Sequence, residues 1–171
     1  MLLGDTIEIF RNFYKTNENI SKFSIKRSIK NLLTLMHTEL SRANVSVVLE
    51  EFEDRNISQV ENIIQQILLI LIHNAKDAVV EKFKDDFKSR VISISVKFDE
   101  KYCYIKVSEF GCGVDKRIQE KIFDTPKTTK EFGSGIGLYF GKKLANEKIC
   151  GDLKLLSVKD PTVFCFSFAI N

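Results

Sequence analysis

The chain has 171 residues, with 26 Lys and Arg against 23 Asp and Glu, and 44% of its residues are hydrophobic. This composition excludes a disordered or fibrous chain and predicts one globular domain with a full hydrophobic core. The net charge of +3 comes from interleaved signs, so no basic stripe indicates nucleic acid as a partner. Six of the eight glycines lie between Gly111 and Gly141, which predicts close backbone approach in that segment.

The apolar runs do not predict a membrane span. The longest, Ile67 to Ile72, is far shorter than the roughly 20 residues needed to cross a bilayer. The amino end lacks the basic and then apolar pattern of a secretion signal. The four cysteines form no C-x-x-C pair, so neither a zinc site nor a disulfide framework is indicated. We therefore expect a cytoplasmic chain with reduced thiols.

The first third of the chain predicts two helices and a strand. An aromatic-rich stripe at helical spacing predicts the end of a helix within residues 4–15. A second apolar stripe predicts a helix that is capped by Ser24 and ends near Asn44. The β-branched residues in 45–52 then predict a strand.

The middle of the chain predicts a core helix. Ser58 and Glu61 have the spacing of a capping box at its start. The residues that follow are apolar nearly all round, so this helix is expected to be covered on more than one side. Polar side chains interrupt it between His73 and Asp77.

The remaining elements are mostly strands. Alternating apolar residues over 91–98 and 102–107 predict a β-hairpin. A glycine-rich loop follows, then a helix at about 135–146 and two closing strands at 152–158 and 162–170. This order predicts an α+β fold in which helices cover one face of a mixed or antiparallel sheet.

Two glycine clusters bracket a loop of about twenty residues, E-F-G-C-G-V at Glu109 to Val114 and G-S-G-I-G-L at Gly133 to Leu138. A glycine-rich turn that leads into a helix presents N–H groups and a positive dipole end to an anion, usually phosphate. No strand is predicted directly before the second cluster, and no G-x-x-x-x-G-K-[ST] occurs. Neither a Rossmann site nor a P-loop is therefore indicated.

The polar segment of the core helix offers oxygen ligands. Asn74 and Asp77 are three residues apart and therefore lie on one helix face. The side-chain oxygen of Asn74 suits a hard cation such as Mg²⁺, which keeps water and phosphate oxygens as its other ligands. The alternative is that the helix simply leaves the core at this point.

Together and in this order, the motifs resemble those of the ATP-binding catalytic domain of sensor histidine kinases, in the GHKL superfamily shared with DNA gyrase, MutL and a heat-shock chaperone. Four segments carry the resemblance. The asparagine box is represented by I-H-N-A-K-D-A and the first glycine box by V-S-E-F-G-C-G-V. The phenylalanine box is represented by I-F-D-T-P-K-T-T-K and the second glycine box by G-S-G-I-G-L-Y-F-G-K-K-L-A. The resemblance implies a two-layer α/β sandwich, with a mixed sheet of roughly five strands and three main helices on one face. It implies an ATP-binding domain at 23–171, and F-R-N-F-Y resembles the end of a dimerisation helix, which implies such a helix end and a linker at 1–22.

The resemblance also implies a site. It places Asn74 on a Mg²⁺ that bridges the ATP phosphates, and Glu109 at the acidic position that accepts a hydrogen bond from the adenine amino group. The glycines of the first cluster would pass close to the base, residues 133–137 would cradle the phosphates, and residues 123–130 would form a mobile lid. No catalytic residue is assigned. The other implied ATP-binding residues are Asp77, Gly111, Gly113, Thr128, Thr129, Lys130, Gly133, Ser134, Gly135, Ile136, Gly137 and Leu138.

Two positions of the implied site depart from the family pattern. The family has Asp where this chain has Glu109, and it has Asn or Glu four residues before Asn74, where this chain has Ile70. An aliphatic side chain can neither polarise water nor bind a metal, which argues against an efficient ATPase. His37 and His73 lack the sequence context of the family's phosphoacceptor, and Lys76 is expected to face solvent.

The implied function is a protein-histidine kinase whose catalytic fragment transfers the γ-phosphoryl group of Mg-ATP to a histidine on a dimerisation domain absent from this chain, for relay to a response regulator. The implied cofactors are ATP and Mg²⁺, and the implied partners are that domain and the regulator. The fragment would be cytoplasmic, or the cytosolic part of a membrane-bound sensor. Two alternatives remain open: a nucleotide-sensing or partner-binding module with weakened catalysis, and an anti-sigma-type protein-serine kinase.

Overall fold

A five-stranded sheet and a layer of helices make up the fold in the computed structural model, which describes residues 19–124 and 136–170. The helix expected within residues 4–15 lies outside these ranges. The strands are β1 (Ser21–Ser24), β2 (Ser46–Leu49), β3 (Asn56–Gln59), β4 (Val91–Phe98), β5 (Tyr102–Glu109), β6 (Asp152–Val158) and β7 (Thr162–Ala169). The helices are α1 (Ile25–Leu35), α2 (His37–Arg42), α3 (Glu61–Lys82) and α4 (Ile136–Lys148).

The main sheet has the strand order β2-β4-β5-β7-β6. β2 pairs with β4 in parallel, and the other neighbours are antiparallel. Because side chains alternate along a strand, β4, β5 and β7 bury one apolar face against the helices and turn serine, lysine and tyrosine to the other. The predicted hairpin is confirmed, and Asp99 Oδ1 closes its turn by accepting from the N–H groups of Lys101 and Tyr102 at 2.8 and 2.7 Å. The predicted two-layer α+β fold is confirmed.

Helix α3 lies in the middle of the domain, as predicted. It packs against β4, β5 and β7 on the sheet and against α1 and α4 in its own layer. Among the helices in the described ranges, α3 alone is long and apolar enough to cross a bilayer by length and composition. Its most apolar window is 67% buried within the fold, as expected of a core helix.

The predicted helix over residues 25–44 is two helices. Ser24 caps the first as predicted, because its Oγ accepts from Arg27 N at 3.0 Å. The helix ends at Leu35, where the buried Met36 has φ −88° and ψ −3°, and α2 begins at His37. The break turns one predicted helix into a long and a short one.

The predicted capping box at Ser58 is wrong. Ser58 lies in β3, which pairs antiparallel with β1 in a separate two-stranded sheet. α3 begins at Glu61, and its N-cap Val60 makes no side-chain cap bond. The buried Gln59 fixes this junction, since its Oε1 accepts from Val60 N at 3.0 Å and its Nε2 donates to Ala169 O at 2.7 Å. Long-range strand pairing therefore overrides the local capping pattern.

The buried Arg90 joins the ends of α2 and α3. Its guanidinium donates to the carbonyl oxygens of Ala43, Phe83 and Lys84 at 2.6, 2.8 and 3.1 Å. Its own carbonyl accepts from Ser46 N at 2.9 Å. Arg90 therefore fixes the point at which the parallel pairing of β2 and β4 begins.

Candidate functional site

One stripe of α3 faces both glycine clusters. Ile70, Asn74 and Ala78 lie at i, i+4 and i+8, so they share a face and span about 12 Å of the helix axis. Glycine has no Cβ atom, so the space around it can be judged from where an added Cβ would lie. At Gly137, at the start of α4, an added Cβ would lie 3.0 Å from Ile70 Cγ2. A Cβ at Gly111 would lie 2.5 Å from the carbonyl carbon and oxygen of Ala78. The fold thus brings the two clusters to the same stripe, one on each side of Asn74.

The first glycine cluster is held between α3 and the turn that joins β6 and β7. Cys112 N donates to Ala78 O at 3.3 Å, and Val114 N donates to Val158 O at 2.8 Å. Gly113 has φ +78°, and a Cβ there would lie 2.8 Å from Val158 O. The predicted close approach is therefore made by the protein's own backbone. The sequence did not reveal Ala78 and Val158 as its partners, because they are distant in the chain.

Glu109 is the last residue of β5, and only 4% of it is exposed. Its register partner on β7 is Thr162, which is also buried. The Oε2 atom of Glu109 accepts a short hydrogen bond from Gly111 N. Because glutamate is one methylene longer than aspartate, its carboxylate can turn back onto the loop that follows the strand. One acceptor position of the buried carboxylate is thus used by the loop itself.

Asn74 and Asp77 lie on one face of α3, as their spacing predicts. Asn74 is half-buried and Asp77 is exposed. Within residues 19–124 and 136–170, no group of three or more His, Cys, Asp and Glu side chains could hold a metal ion. A cation at Asn74 would therefore take most of its ligands from water or from a bound molecule. This oxygen donor set fits Mg²⁺, which usually keeps several waters and binds phosphate oxygens.

Two polar residues beside Asn74 bind one buried carboxylate on α2. His73 Nε2 lies 3.1 Å from Glu39 Oε2, and Lys76 Nζ donates to Glu39 Oε1 at 2.7 Å. Burial raises the pKa of Glu39, but hydrogen bonds and charge from His73 and Lys76 outweigh it and lower the pKa to about 2. The expectation that Lys76 faces solvent is wrong, since its side chain is 17% exposed and ion-paired. The sequence carried no signal for this pairing, because Glu39 and Lys76 belong to different helices.

Ile70 is buried beneath the start of α4. A Cβ at Gly141 would lie 3.7 Å from Ile70 Cδ1 and 3.2 Å from Leu153 Cδ2 on β6. Together with the contact at Gly137, this places an aliphatic side chain under the second glycine cluster, where the family pattern has an amide or a carboxylate. The spacing of Gly137 and Gly141 at i and i+4 is the sequence signal that could have revealed this contact.

The remaining predicted site residues divide into two groups. Leu138 is buried in the first turn of α4. Phe123, the first residue of the expected lid, packs edge-on against Phe164 at a centroid distance of 6.1 Å, and Lys142 Nζ lies 4.9 Å from its ring centroid. The others lie outside the described residues, namely Thr128, Thr129, Lys130, Gly133, Ser134, Gly135 and the side chain of Ile136.

Comparison with known proteins gives one family and several relatives. A profile of the family described as histidine kinase-, DNA gyrase B-, and HSP90-like ATPase matches residues 59–170. The chain is 29% identical over 136 residues to the signal transduction histidine-protein kinase AtoS of Escherichia coli K12, covering 79% of this chain and 21% of AtoS. It is 32% identical over 127 residues to the sensor protein TdiS of Thauera aromatica, covering 72% and 22% of the two chains. The chain thus spans 21% and 22% of the length of these two relatives.

Solved structures share this fold. The nucleotide-free catalytic domain of the histidine kinase ThkA aligns with a TM-score of 0.73 and 21% identity, covering 89% of this chain and 96% of that one. The histidine kinase AdeS of Acinetobacter baumannii aligns with a TM-score of 0.67 and 18% identity, covering 99% and 77%. At these identities the likeness shows the common architecture.

Proposed function

Because this chain belongs to the histidine kinase-, DNA gyrase B- and HSP90-like ATPase family, we propose that it is the Mg-ATP-binding catalytic domain of a sensor histidine kinase. It would transfer the γ-phosphoryl group to a histidine on a dimerisation domain, for relay to a response regulator in the cytoplasm. Residues 1–22 would then be the end of a dimerisation helix with its linker, and residues 23–171 the catalytic domain. The observation that carries this proposal is the convergence of both glycine clusters on the stripe of α3 that holds Asn74.

The adenine base of ATP would lie at the end of the α3 stripe near Glu109, and the phosphates of ATP at the end near Gly137. The buried Glu109 carboxylate would accept a hydrogen bond from the adenine amino group. The N–H groups at the start of α4 and the positive end of its dipole favour phosphate anions. Asn74, which lies between the two ends, would hold the Mg²⁺ that offsets charge on the phosphate oxygens. The phosphate side would be completed by Asp77, Thr128, Thr129, Lys130, Gly133, Ser134 and Gly135.

Phosphoryl transfer of this kind depends on positioning and charge stabilisation. The acceptor imidazole would supply the electron pair of the new P–N bond, while the bond from the γ-phosphorus to the bridging oxygen breaks and its electrons remain on ADP. The imidazole is itself the nucleophile, so this chain need supply no base. His73 is bound to the Glu39 carboxylate, and neither His73 nor His37 has the sequence context of the family's phosphoacceptor, which supports an acceptor on the other domain.

Calorimetry with a non-hydrolysable ATP analogue tests the binding step. We expect binding that is stronger with Mg²⁺ than with EDTA, and Asn74→Ala should reduce this difference. Asn62→Ala is the matched control, because Asn62 lies in the first turn of the same helix, about 18 Å of helix axis away from Asn74. Absence of binding at millimolar nucleotide would contradict the proposal. Transfer of labelled phosphate to a separately expressed dimerisation domain tests the second step.

The second candidate is a nucleotide-binding module with weakened catalysis. Two observations favour it: the aliphatic Ile70 lies under the second glycine cluster, and the Glu109 carboxylate is bonded to its own loop. Glu109→Asp separates the two functions. A marked gain in nucleotide affinity would indicate a degenerate base site, whereas unchanged affinity would indicate a site adapted to glutamate. Glu100→Asp is the matched control, because Glu100 is exposed in the turn between β4 and β5, at the opposite end of β5 from Glu109.

A further inference from the structure

An ion cluster beside the proposed metal ligand joins α2 to α3, because the buried carboxylate of Glu39 binds the partly buried His73 and Lys76. Resting on the proposed function, we propose that Glu39 is a positioning residue: it fixes the turn of α3 that carries Asn74 and thereby sets how strongly Mg²⁺ supports nucleotide binding. In the part of the chain that the structure describes, the Glu39 carboxylate binds His73 and Lys76. Its effect would therefore pass through His73 and Lys76.

The geometry of the cluster suits this role. His73 and Lys76 are one turn apart and flank Asn74, and both bind the same carboxylate, at 3.1 and 2.7 Å. Two anchors one turn apart on one side of a helix resist rotation about its axis. The carboxylate is itself held in place, because Met36 and Leu40, on either side of it in sequence, are buried in the core. The orientation of Asn74 is thus tied to α2.

The electrostatics of the cluster add a second reason. The side chains of Glu39, Lys76 and His73 are 9, 17 and 20% exposed. Replacing a buried ion pair by apolar residues of similar volume is often neutral or stabilising, so such a cluster is weak evidence for a stabilising role alone. Lys76 and Asn74 share one turn of α3 but point to different sides of it, so an unpaired ammonium at Lys76 would act on a cation at Asn74 through longer-range repulsion. The Glu39 carboxylate neutralises that charge.

The test measures, in wild type and in one variant, the affinity for a non-hydrolysable ATP analogue in Mg²⁺ and in EDTA. Glu39→Gln keeps the shape of the side chain and removes its charge. We expect the variant to bind a non-hydrolysable ATP analogue in Mg²⁺ about tenfold more weakly than wild type, while its affinity in EDTA stays within about twofold. Glu39→Asp, which keeps the charge, should restore part of the Mg²⁺ effect. Asp54→Asn is the matched control, because its carboxylate binds Lys26 N at 3.0 Å in the first turn of α1.

If Glu39 only stabilised the fold, Glu39→Gln would lower the folded fraction and the binding stoichiometry. It would not change the ratio of the nucleotide affinity in Mg²⁺ to the nucleotide affinity in EDTA. The proposal is overturned if folded Glu39→Gln, checked by circular dichroism and thermal melting, keeps the wild-type ratio. If Glu39→Gln does not fold, Glu39→Asp is measured in the same way and must show a reduced ratio. Wild-type protein that binds no nucleotide overturns the proposed function together with this inference. A binding wild type with an unchanged ratio in the variant overturns this inference alone.

Discussion

Replacing Gly111 with alanine tests how tightly the first glycine cluster is packed. The new Cβ would lie 2.5 Å from the carbonyl carbon and oxygen of Ala78, whereas ordinary contact begins at 3.4 Å. Loop and helix would therefore have to separate by roughly 0.9 Å, the difference between these distances. Both atoms of Ala78 belong to the backbone of α3, so no change of rotamer can relieve the clash.

We expect Gly111→Ala to lower the free energy of unfolding by about 1–3 kcal/mol, the usual range for overpacking. For a chain of this length, each kcal/mol corresponds to a fall of about 2–4 °C in Tm. The same shift would move Gly111 N, which donates to Glu109 Oε2. Nucleotide affinity should therefore fall along with stability.

Gly141→Ala is the matched control. Its Cβ would meet Leu153 Cδ2 at 3.2 Å and Ile70 Cδ1 at 3.7 Å, and both are side-chain ends that can move. Alanine is also favoured over glycine inside a helix by about 1 kcal/mol. This variant should thus stay within about 1 kcal/mol of wild type in urea unfolding. If Gly111→Ala proves as stable as wild type, the inferred contact with Ala78 is incorrect.

Three further predictions concern packing, pH and thiol reactivity. Ile70→Ala should lower the free energy of unfolding by about 2–5 kcal/mol in urea titrations, because it opens a cavity beneath α4; a loss below about 1 kcal/mol would contradict the contact. The lowered pKa of Glu39 adds stability that is fully present above its ordinary pKa of 4.5 and is lost as pH falls towards about 2. This contribution to the free energy of unfolding is roughly 3 kcal/mol. The stability difference between wild type and Glu39→Gln should accordingly narrow in melts between pH 6 and 3, and a constant difference would contradict the ion cluster. Finally, a thiol reagent at pH 8 should label the exposed Cys112 and Cys150 first, while burial raises the pKa of Cys103 and keeps it unreacted until the protein unfolds.

Elements with a continuous buried apolar surface were predictable from the sequence. The stripe of α1, the apolar length of α3 and the alternation in β4 and β5 each record which side chains meet the core. The close backbone approach at the first glycine cluster was predictable in the same way, from the glycines themselves, whereas the role of Asn74 as an oxygen ligand remains a prediction. That both glycine clusters lie against the stripe of α3 that holds Asn74 could be seen only in the structure.

Pairings between distant segments were not predictable from local pattern. Ser58 and Glu61 have a capping spacing, but the pairing of β1 with β3 places Ser58 in a strand. Lys76 has the sequence surroundings of a surface residue, but the carboxylate of Glu39 reaches it from another helix. Likewise, the bond from Gly111 N to Glu109 depends on how the loop turns after β5. In each case a contact made by folding overrides the preference of a short window.

Arg90 also bears on how the domain loses its structure. One guanidinium holds the carbonyl groups of Ala43, Phe83 and Lys84, which end two different helices, and the Arg90 carbonyl holds Ser46 at the start of β2. When the guanidinium leaves, the three carbonyl groups lose this donor together. The ends of α2 and α3 and the beginning of the parallel pair should therefore open as one cooperative unit. In native-state hydrogen exchange, amides near residues 46 and 83 should share one opening free energy, although almost forty residues separate them in the chain.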